Sequence, residues 1–336
     1  MNSRLPRVVA DSPLNATIEG LLRGRVELLP WSITASGSDE PVDGMYTYGH
    51  PPVDGAMLER LRGLKVISNY GVGVDHIDLE ATAARGIAVG NTPGVLERTT
   101  ADLGFALLLA SARRIVAGDH YAHSPDFVRF DPGYMLGREV HGKTLGIIGM
   151  GTIGYHVARR AIGFDMTVLY YNRRRREDVE RAHASSVHFA EKDDLLAQAD
   201  YVMLCVPLTV ETRGSIGARE LSLMKSDATL VNIARGAVVD TDALTDSMAH
   251  ARIGAAALDV TEPEPLPRDH PLLTMPNVII TPHLGSATVE TRQRMAELSV
   301  ENLLAGLRGE PLPHAVGETR GPGKLTVKSN ESVKAG

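Results

Sequence analysis

Short apolar runs alternate with longer amphipathic segments along most of the chain. RVVA (7–10), GMYTYG (44–49), LKVISNYG (64–71) and GIAVG (86–90) have the character of short buried strands, and AMLERLRG (56–63) between two of them has helical spacing. A second block repeats the rhythm with KTLGIIG (143–149), MTVLYYN (166–172), VHFA (187–190), YVMLCVP (201–207), ATLVNIA (228–234), IGAAALDV (253–260) and NVIITPH (277–283). Helical stretches such as KDDLLAQAD (192–200) and DTDALTDSMAHA (240–251) fall between these strands. Strands that alternate with helices predict parallel sheets covered by helices on both faces, the α/β class.

Two longer segments stand apart. TTADLGFALLLASARRIVAGDH (99–120) predicts one helix capped by Thr99 or Thr100, with Asp102 in its first turn and Arg113 and Arg114 late, as the helix dipole favours. Its middle is apolar on nearly every side, as in a helix wedged between two domains. ATVETRQRMAELSVENLLAGLRG (287–309) predicts a second long amphipathic helix. No internal repeat is visible.

Composition narrows the setting. A chain of 336 residues with 43% hydrophobic content is long enough for two soluble domains, and no run approaches the ~18 unbroken apolar residues of a membrane span. The net charge of −6 argues against general affinity for nucleic acid, so any anion site must be built locally. The single cysteine, Cys205, lies within an apolar strand and reads as structural. The N-terminus lacks the apolar core of a signal peptide and the C-terminus does not read SKL, so a cytoplasmic protein is expected. The Gly-, Lys- and Ser-rich end, assigned to 319–336, is expected to be a disordered tail.

The first candidate chemistry is Gly149-Met150-Gly151-Thr152-Ile153-Gly154. It follows an apolar strand, precedes a helical pattern and is completed by the strand 166–172, the βαβ context of a dinucleotide fold. Gly149 permits the turn, Gly151 lets the backbone approach a pyrophosphate, and Gly154 allows close helix–strand packing. An acid at the end of the next strand would bind an NAD ribose; this chain has Asn172 followed by Arg173, Arg174, Arg175 and Arg176. Asn172 removes the repulsion of a 2′-phosphate, and Arg173 or Arg174 can grip one with planar donors, so NADP is the expected cofactor, NADPH over NADH. Arg175 and Arg176 read instead as a solvated basic turn, since one phosphate cannot engage four arginines.

Three more residues follow apolar strands: Arg235, Glu264 and His283. Open α/β sheets hold ligands at the carboxyl ends of their strands, so the three are candidates for one site. Reduction of a 2-keto acid needs a held carboxylate, a polarised carbonyl and a proton donor. Arginine suits the first two and histidine the third; a carboxylate beside the histidine favours the imidazolium and fixes its ring. Each also has a plain structural reading, as a strand-end cap, loop decoration or ordinary exposed histidine. No HExxH or CxxC pair is present, so no metal site is expected.

Taken in order, GIIGMGTIG, VNIARGAVVD, AALDVTEPEPLP and TPHLGSAT resemble the D-isomer-specific 2-hydroxyacid dehydrogenases. LDVTEPEPLPRDHPLL, PHLGSATVETR and ENLLAGLRGEPLP are most similar to the glyoxylate/hydroxypyruvate reductases of that family, and the resemblance spans roughly Tyr46 to Pro313. It implies two doubly wound parallel-sheet domains with a cleft between them. One is a flavodoxin-like substrate-binding domain, 1–108 and 287–318; the other is a Rossmann NADP-binding domain, 109–286. It implies Arg235, Glu264 and His283 as the catalytic set and Val72 and Gly73 of NYGVGVDHID as amide donors to the substrate carboxylate. Asp75, His76 and Asp78 of that segment read as the start of the next helix. The resemblance also implies cofactor contacts at Thr100, Thr152, Ile153, Val206, Pro207, Thr212, Ala234, Asp259, which would hold the nicotinamide carboxamide, His283 and Gly285. Where many reductases of the group carry a tryptophan from the neighbouring subunit, this chain offers Tyr134 or Met135. The expected protein is therefore a homodimeric, NADPH-preferring reductase of glyoxylate and hydroxypyruvate. Its alternatives are a reductase of a larger keto acid (2-ketogluconate or an aromatic pyruvate) and a cofactor-sensing scaffold like the related corepressors.

Overall fold

The structure is a computed structural model and describes residues 4–11 and 13–317. The chain forms two compact units. The smaller comprises the chain up to Tyr70, Ile77–Asn91 and the part from Leu298; the larger comprises Gly71–His76 and Thr92–Glu297. The sequence reading divided the chain at 108 and 286. The residues of helix Glu97–Ala112 thus count with the larger unit, where they pack against helix Thr152–Ile162 and the strands beyond it. The expected tail at 319–336 lies outside the described residues.

The smaller unit is built on strands β1 (Arg7–Ala10), β2 (Glu27–Pro30), β3 (Gly44–Thr47), β4 (Val66–Asn69) and β5 (Ala88–Gly90), in the order β2-β1-β3-β4-β5 with every pair parallel. This is the flavodoxin-like doubly wound order. The central β3 and β4 are buried at every position, which is why they read as unbroken runs rather than alternating ones. The buried Tyr46 hydroxyl meets the Ser299 hydroxyl at 2.7 Å, and Ser68 donates to the Ser299 carbonyl at 2.6 Å, tying the middle of helix Val289–Leu307 to the sheet.

The larger unit has seven parallel strands: β6 (Thr144–Ile148), β7 (Thr167–Tyr171), β8 (Val187–Phe189), β9 (Tyr201–Leu204), β10 (Thr229–Asn232), β11 (Ala255–Leu258) and β12 (Val278–Ile280). Their order, β12-β11-β10-β9-β6-β7-β8, reverses direction at β6 and β9, as in a Rossmann sheet. One apolar core gathers Phe105, Leu108, Ile147, Val157 and Tyr170; a second, on the other face, gathers Leu195, Leu204, Leu230, Leu244 and Leu258. The α/β class with two doubly wound parallel sheets is as expected.

The helix expected from Thr99 or Thr100 differs. It begins at Glu97, whose carboxylate accepts the Gly94 amide at 2.7 Å, and ends at Ala112. Arg114 takes a left-handed φ of 53°, which breaks the run and starts a separate helix, Ile115–Ala122.

Candidate active site

Every sheet connection that carries a candidate residue in the larger unit leaves the carboxyl end of a strand, the edge where doubly wound sheets hold ligands. The glycine motif follows β6. Gly149 has φ 104°, and a side chain there would strike the Cys205 backbone and Val206. The space a Gly154 side chain would need is taken by the Gly149 carbonyl, whereas Gly151 faces open space. Helix Thr152–Ile162 starts at Gly151 with no side-chain cap, so its first N–H groups keep their capacity to receive an anion. A dinucleotide pyrophosphate fits this cradle, with Thr152 and Ile153 in its first turn.

After β7, the four arginines divide into two pairs. Arg175 grips Glu180 through two nitrogens, at 2.8 and 2.6 Å. Arg176 grips Asp178 at 2.8 and 2.7 Å and also donates to the Met150 carbonyl of the glycine turn at 3.0 Å. The Arg176 guanidinium holds the Asp178 carboxyl down at about 2. Arg173 and Arg174 are exposed and form no ion pair among the described residues, while the Asn172 amide donates to the Arg174 carbonyl at 2.9 Å. Glu211 lies close enough to feel Arg173. Its carboxyl is lowered chiefly by the Thr209 hydroxyl and slightly by that charge. The same loop is closed by Thr212, whose hydroxyl donates to the Pro207 carbonyl at 2.6 Å.

Arg235 follows β10. Buried Asn232 shapes the turn: its side chain accepts the Ala234 amide at 3.0 Å and donates to the Arg235 carbonyl at 2.9 Å. Sequence reasoning passed over Asn232, although a buried amide at the end of a strand is a signal for such a staple. The Arg235 guanidinium donates from NH1 to the Ala234 carbonyl at 2.9 Å and from Nε to Asp75 Oδ1 at 3.1 Å. Its NH2 lies against Gly73, where any side chain would collide with it. Gly73 therefore adjoins the arginine. Asp75 departs from expectation, because only Asp78 caps the following helix, accepting the Ala81 amide at 2.8 Å. His76 is pushed down to about 4, first by burial and then by the Arg235 charge, with Asp75 acting in the opposite direction.

The loop after β11 carries Asp259 and Glu264, and the loop after β12 carries His283 and Gly285. Asp259 is buried and binds the second loop to the first. Its carboxylate accepts Thr281 Oγ1 at 2.6 Å, the Leu284 amide at 2.7 Å and the Gly285 amide at 2.8 Å, and its carbonyl accepts the His283 amide at 2.9 Å. These bonds hold His283 at φ 56°, a left-handed conformation uncommon for any residue but glycine. Thr100 packs against Gly285, and so brings helix Glu97–Ala112 to the same point.

His283 Nδ1 and Glu264 Oε1 are 2.7 Å apart. Burial pushes the Glu264 carboxyl up, but the hydrogen bond and charge of His283, the Thr261 amide and the Arg235 charge outweigh it. The net effect holds the carboxyl below its ordinary range. The influence of Arg235 on Glu264 brings all three candidates into one neighbourhood. Gly236, next to Arg235, is pressed against the Thr261 backbone and leaves no room for a side chain. Tyr134 is exposed and packs on Tyr121, their centroids 4.7 Å apart. No group of metal-binding side chains occurs among the described residues.

Residues 105–285 match the family described as D-isomer specific 2-hydroxyacid dehydrogenase, NAD binding domain. The chain belongs to the D-isomer specific 2-hydroxyacid dehydrogenase family. It is 48% identical over 268 residues to the glyoxylate reductase of Korarchaeum cryptofilum, covering 80% of each chain. Among solved structures it is similar to the NADPH-dependent glyoxylate/hydroxypyruvate reductase of Sinorhizobium meliloti in complex with NADP and malonate. The TM-score is 0.85, with 30% identity and coverage of 94% of this chain and 98% of that one. It is also similar to the D-lactate dehydrogenase of Aquifex aeolicus complexed with NAD and lactic acid, at TM-score 0.81, 28% identity and coverage of 90% and 96%. As a 2-hydroxyacid dehydrogenase it is an oxidoreductase that uses a nicotinamide cofactor, in keeping with the cradle at Gly149–Gly154.

Proposed function

We propose that this 2-hydroxyacid dehydrogenase is an NADPH-preferring reductase of small 2-keto acids, glyoxylate and hydroxypyruvate first. The observation that carries the reading is the hydrogen bond between His283 and Glu264 beside the charge of Arg235. With Nδ1 facing a carboxylate, that nitrogen carries its hydrogen toward Glu264, and Nε2 becomes the proton-delivering atom. Arg235 and the Val72 and Gly73 amides hold the substrate carboxylate, with Arg235 also polarising the keto oxygen. A bound reduced dinucleotide supplies hydride for the keto carbon, and His283 protonates the oxygen, giving the 2-hydroxy acid. Glu264 stabilises the imidazolium before transfer and keeps the ring oriented.

The cofactor preference rests on the arginines. Arg175 and Arg176 are committed to carboxylates, whereas exposed Arg173 and Arg174 beside Asn172 suit a 2′-phosphate. On this reading Asp259, Gly285 and Thr100 border the nicotinamide end, and Val206, Pro207, Thr212 and Ala234 line the rest of the path. A homodimer is supported by one stretch of exposed apolar side chains, Ile115, Val116, Phe127, Val128, Phe130 and Leu136. A second copy of the chain would cover it, with Tyr134 on the same arm. A cytoplasmic setting agrees with the lack, among the described residues, of a helix long and apolar enough to cross a membrane.

The test is oxidation of NADPH and NADH with glyoxylate, hydroxypyruvate, 2-ketogluconate and phenylpyruvate. The reading expects the two small acids to have the highest kcat/KM. Preference for a bulky acid would move the substrate assignment, and tight NADPH binding without turnover of any keto acid would favour a sensing scaffold.

A further inference from the structure

Asp75 is the charged residue beside the site to which the proposed mechanism gives no task. It is not part of a helix start; among the described residues its one ion pair is with Arg235, reached across 160 positions of sequence. The two side chains are 28% and 23% exposed, so the pair is partly shielded from water. The bond falls on Nε, the nitrogen that sets how the guanidinium plane is rotated about the side-chain axis. NH1 is held by the Ala234 carbonyl at 2.9 Å, and NH2 lies against Gly73. Two of the three nitrogens are thus fixed by this chain's own acceptors, and the third is directed along the loop that carries the Val72 and Gly73 amides.

We infer that Asp75 is a positioning residue: it clamps Nε of Arg235 so that the guanidinium is presented, already oriented, beside the Val72–Gly73 amides to the carboxylate of the incoming acid. This role rests on the proposed reading that Arg235 holds the keto acid. An arginine has many rotamers, and ordering it only when substrate arrives would weaken binding; a permanent acceptor on Nε removes that cost beforehand. The carboxylate of Asp75 stays on the Nε side and leaves the NH2 edge to the substrate. Gly73 contributes by having no side chain, since any larger residue would displace NH2. The effect belongs to substrate capture rather than to cofactor binding, because among the described residues the Asp75 carboxylate pairs with Arg235 and with no side chain of the Gly149–Gly154 cradle or the Arg173–Arg174 turn.

The test compares wild type, Asp75→Ala and Asp75→Asn in steady-state kinetics with glyoxylate at saturating NADPH, alongside NADPH titration by fluorescence and thermal unfolding. Asp75→Ala is expected to raise KM for glyoxylate about tenfold, with kcat changed less than threefold and NADPH affinity within twofold. Asp75→Asn, whose amide oxygen still accepts from Nε, is expected to restore most of the loss. A KM within twofold of wild type in Asp75→Ala overturns the role. So does an equal loss in both variants together with NADPH binding and thermal stability, which would mark a purely structural residue. If Asp75→Ala does not fold, Asp75→Ser, too short to reach Nε, takes its place with the same expectations. If wild type reduces no keto acid, the reading of the reaction fails separately. Calorimetric binding of oxalate to the same proteins then decides the role of Asp75: weaker binding in Asp75→Ala that is recovered in Asp75→Asn supports it, and equal binding in all three overturns it.

Discussion

Nδ1 of His283 stands 2.7 Å from Oε1 of Glu264, in a loop that Asp259 holds in a left-handed turn. The bond joins residues from the loops that follow the neighbouring strands β11 and β12, and Arg235, from the loop after β10 beside them, lowers the same carboxyl. An imidazole, a carboxylate and a guanidinium are therefore assembled on the ends of neighbouring strands.

Replacing Glu264 by Gln preserves the shape and removes the charge. The expected outcome is a fall in kcat of about 10- to 100-fold with KM for NADPH changed little, measured by steady-state kinetics at pH 7. The pH dependence of stability follows from the lowered carboxyl. A group whose folded pKa is depressed adds stability that is complete above its ordinary value of 4.5 and is lost as pH falls through the lower folded value. The difference in unfolding temperature between wild type and Glu264→Gln should therefore shrink as pH is reduced below about 4.5.

The division of the arginines gives a paired test of cofactor choice. Arg173→Ala is expected to raise KM for NADPH about tenfold while leaving NADH within twofold, the loss of one charge-assisted contact to a phosphate. Arg176→Ala should instead affect both cofactors alike, because that side chain holds the Met150 carbonyl of the shared glycine turn. Equal effects of Arg173→Ala on both cofactors would count against a 2′-phosphate site.

His76 makes the fold sensitive to mild acid. Its folded value of about 4 lies below the ordinary 6.5, so between those limits the unfolded chain binds a proton that the folded chain does not. Its contribution to stability should decline from pH 6.5 downward and level off below pH 4, by about 3 kcal/mol in all. Urea unfolding at pH 7.5 and pH 4.5 should show a smaller loss in His76→Asn than in wild type; an identical loss would remove His76 as the source.

The inner strands β6, β9, β10 and β11 of the larger sheet could be read in the sequence because they are buried on both faces and stand out as apolar runs between helices. β2 escaped notice for the opposite reason: it lies at a sheet edge, and only Leu29 of its four residues is buried. The break at Arg114 was hidden because one left-handed residue between two helical segments leaves no mark on hydrophobic spacing. Arg235, Glu264 and His283 could be singled out as candidates because strand ends are where such sheets bind ligands and because their motifs resemble the family's. Asp75, Asn232 and the clamp made by Asp259 could not, since each works through a partner distant in sequence or through backbone amides. Likewise the sequence could set Arg175 and Arg176 aside as a basic turn but could not name Glu180 and Asp178 as the carboxylates that fold back on them.

The most direct measurement of the central claim is single-turnover oxidation of NADPH by glyoxylate in wild type and His283→Ala, with cofactor binding followed in the same samples. The account predicts that His283→Ala binds NADPH with unchanged affinity but transfers hydride about 10²- to 10⁴-fold more slowly. A variant that binds NADPH normally and turns over at the wild-type rate would contradict it.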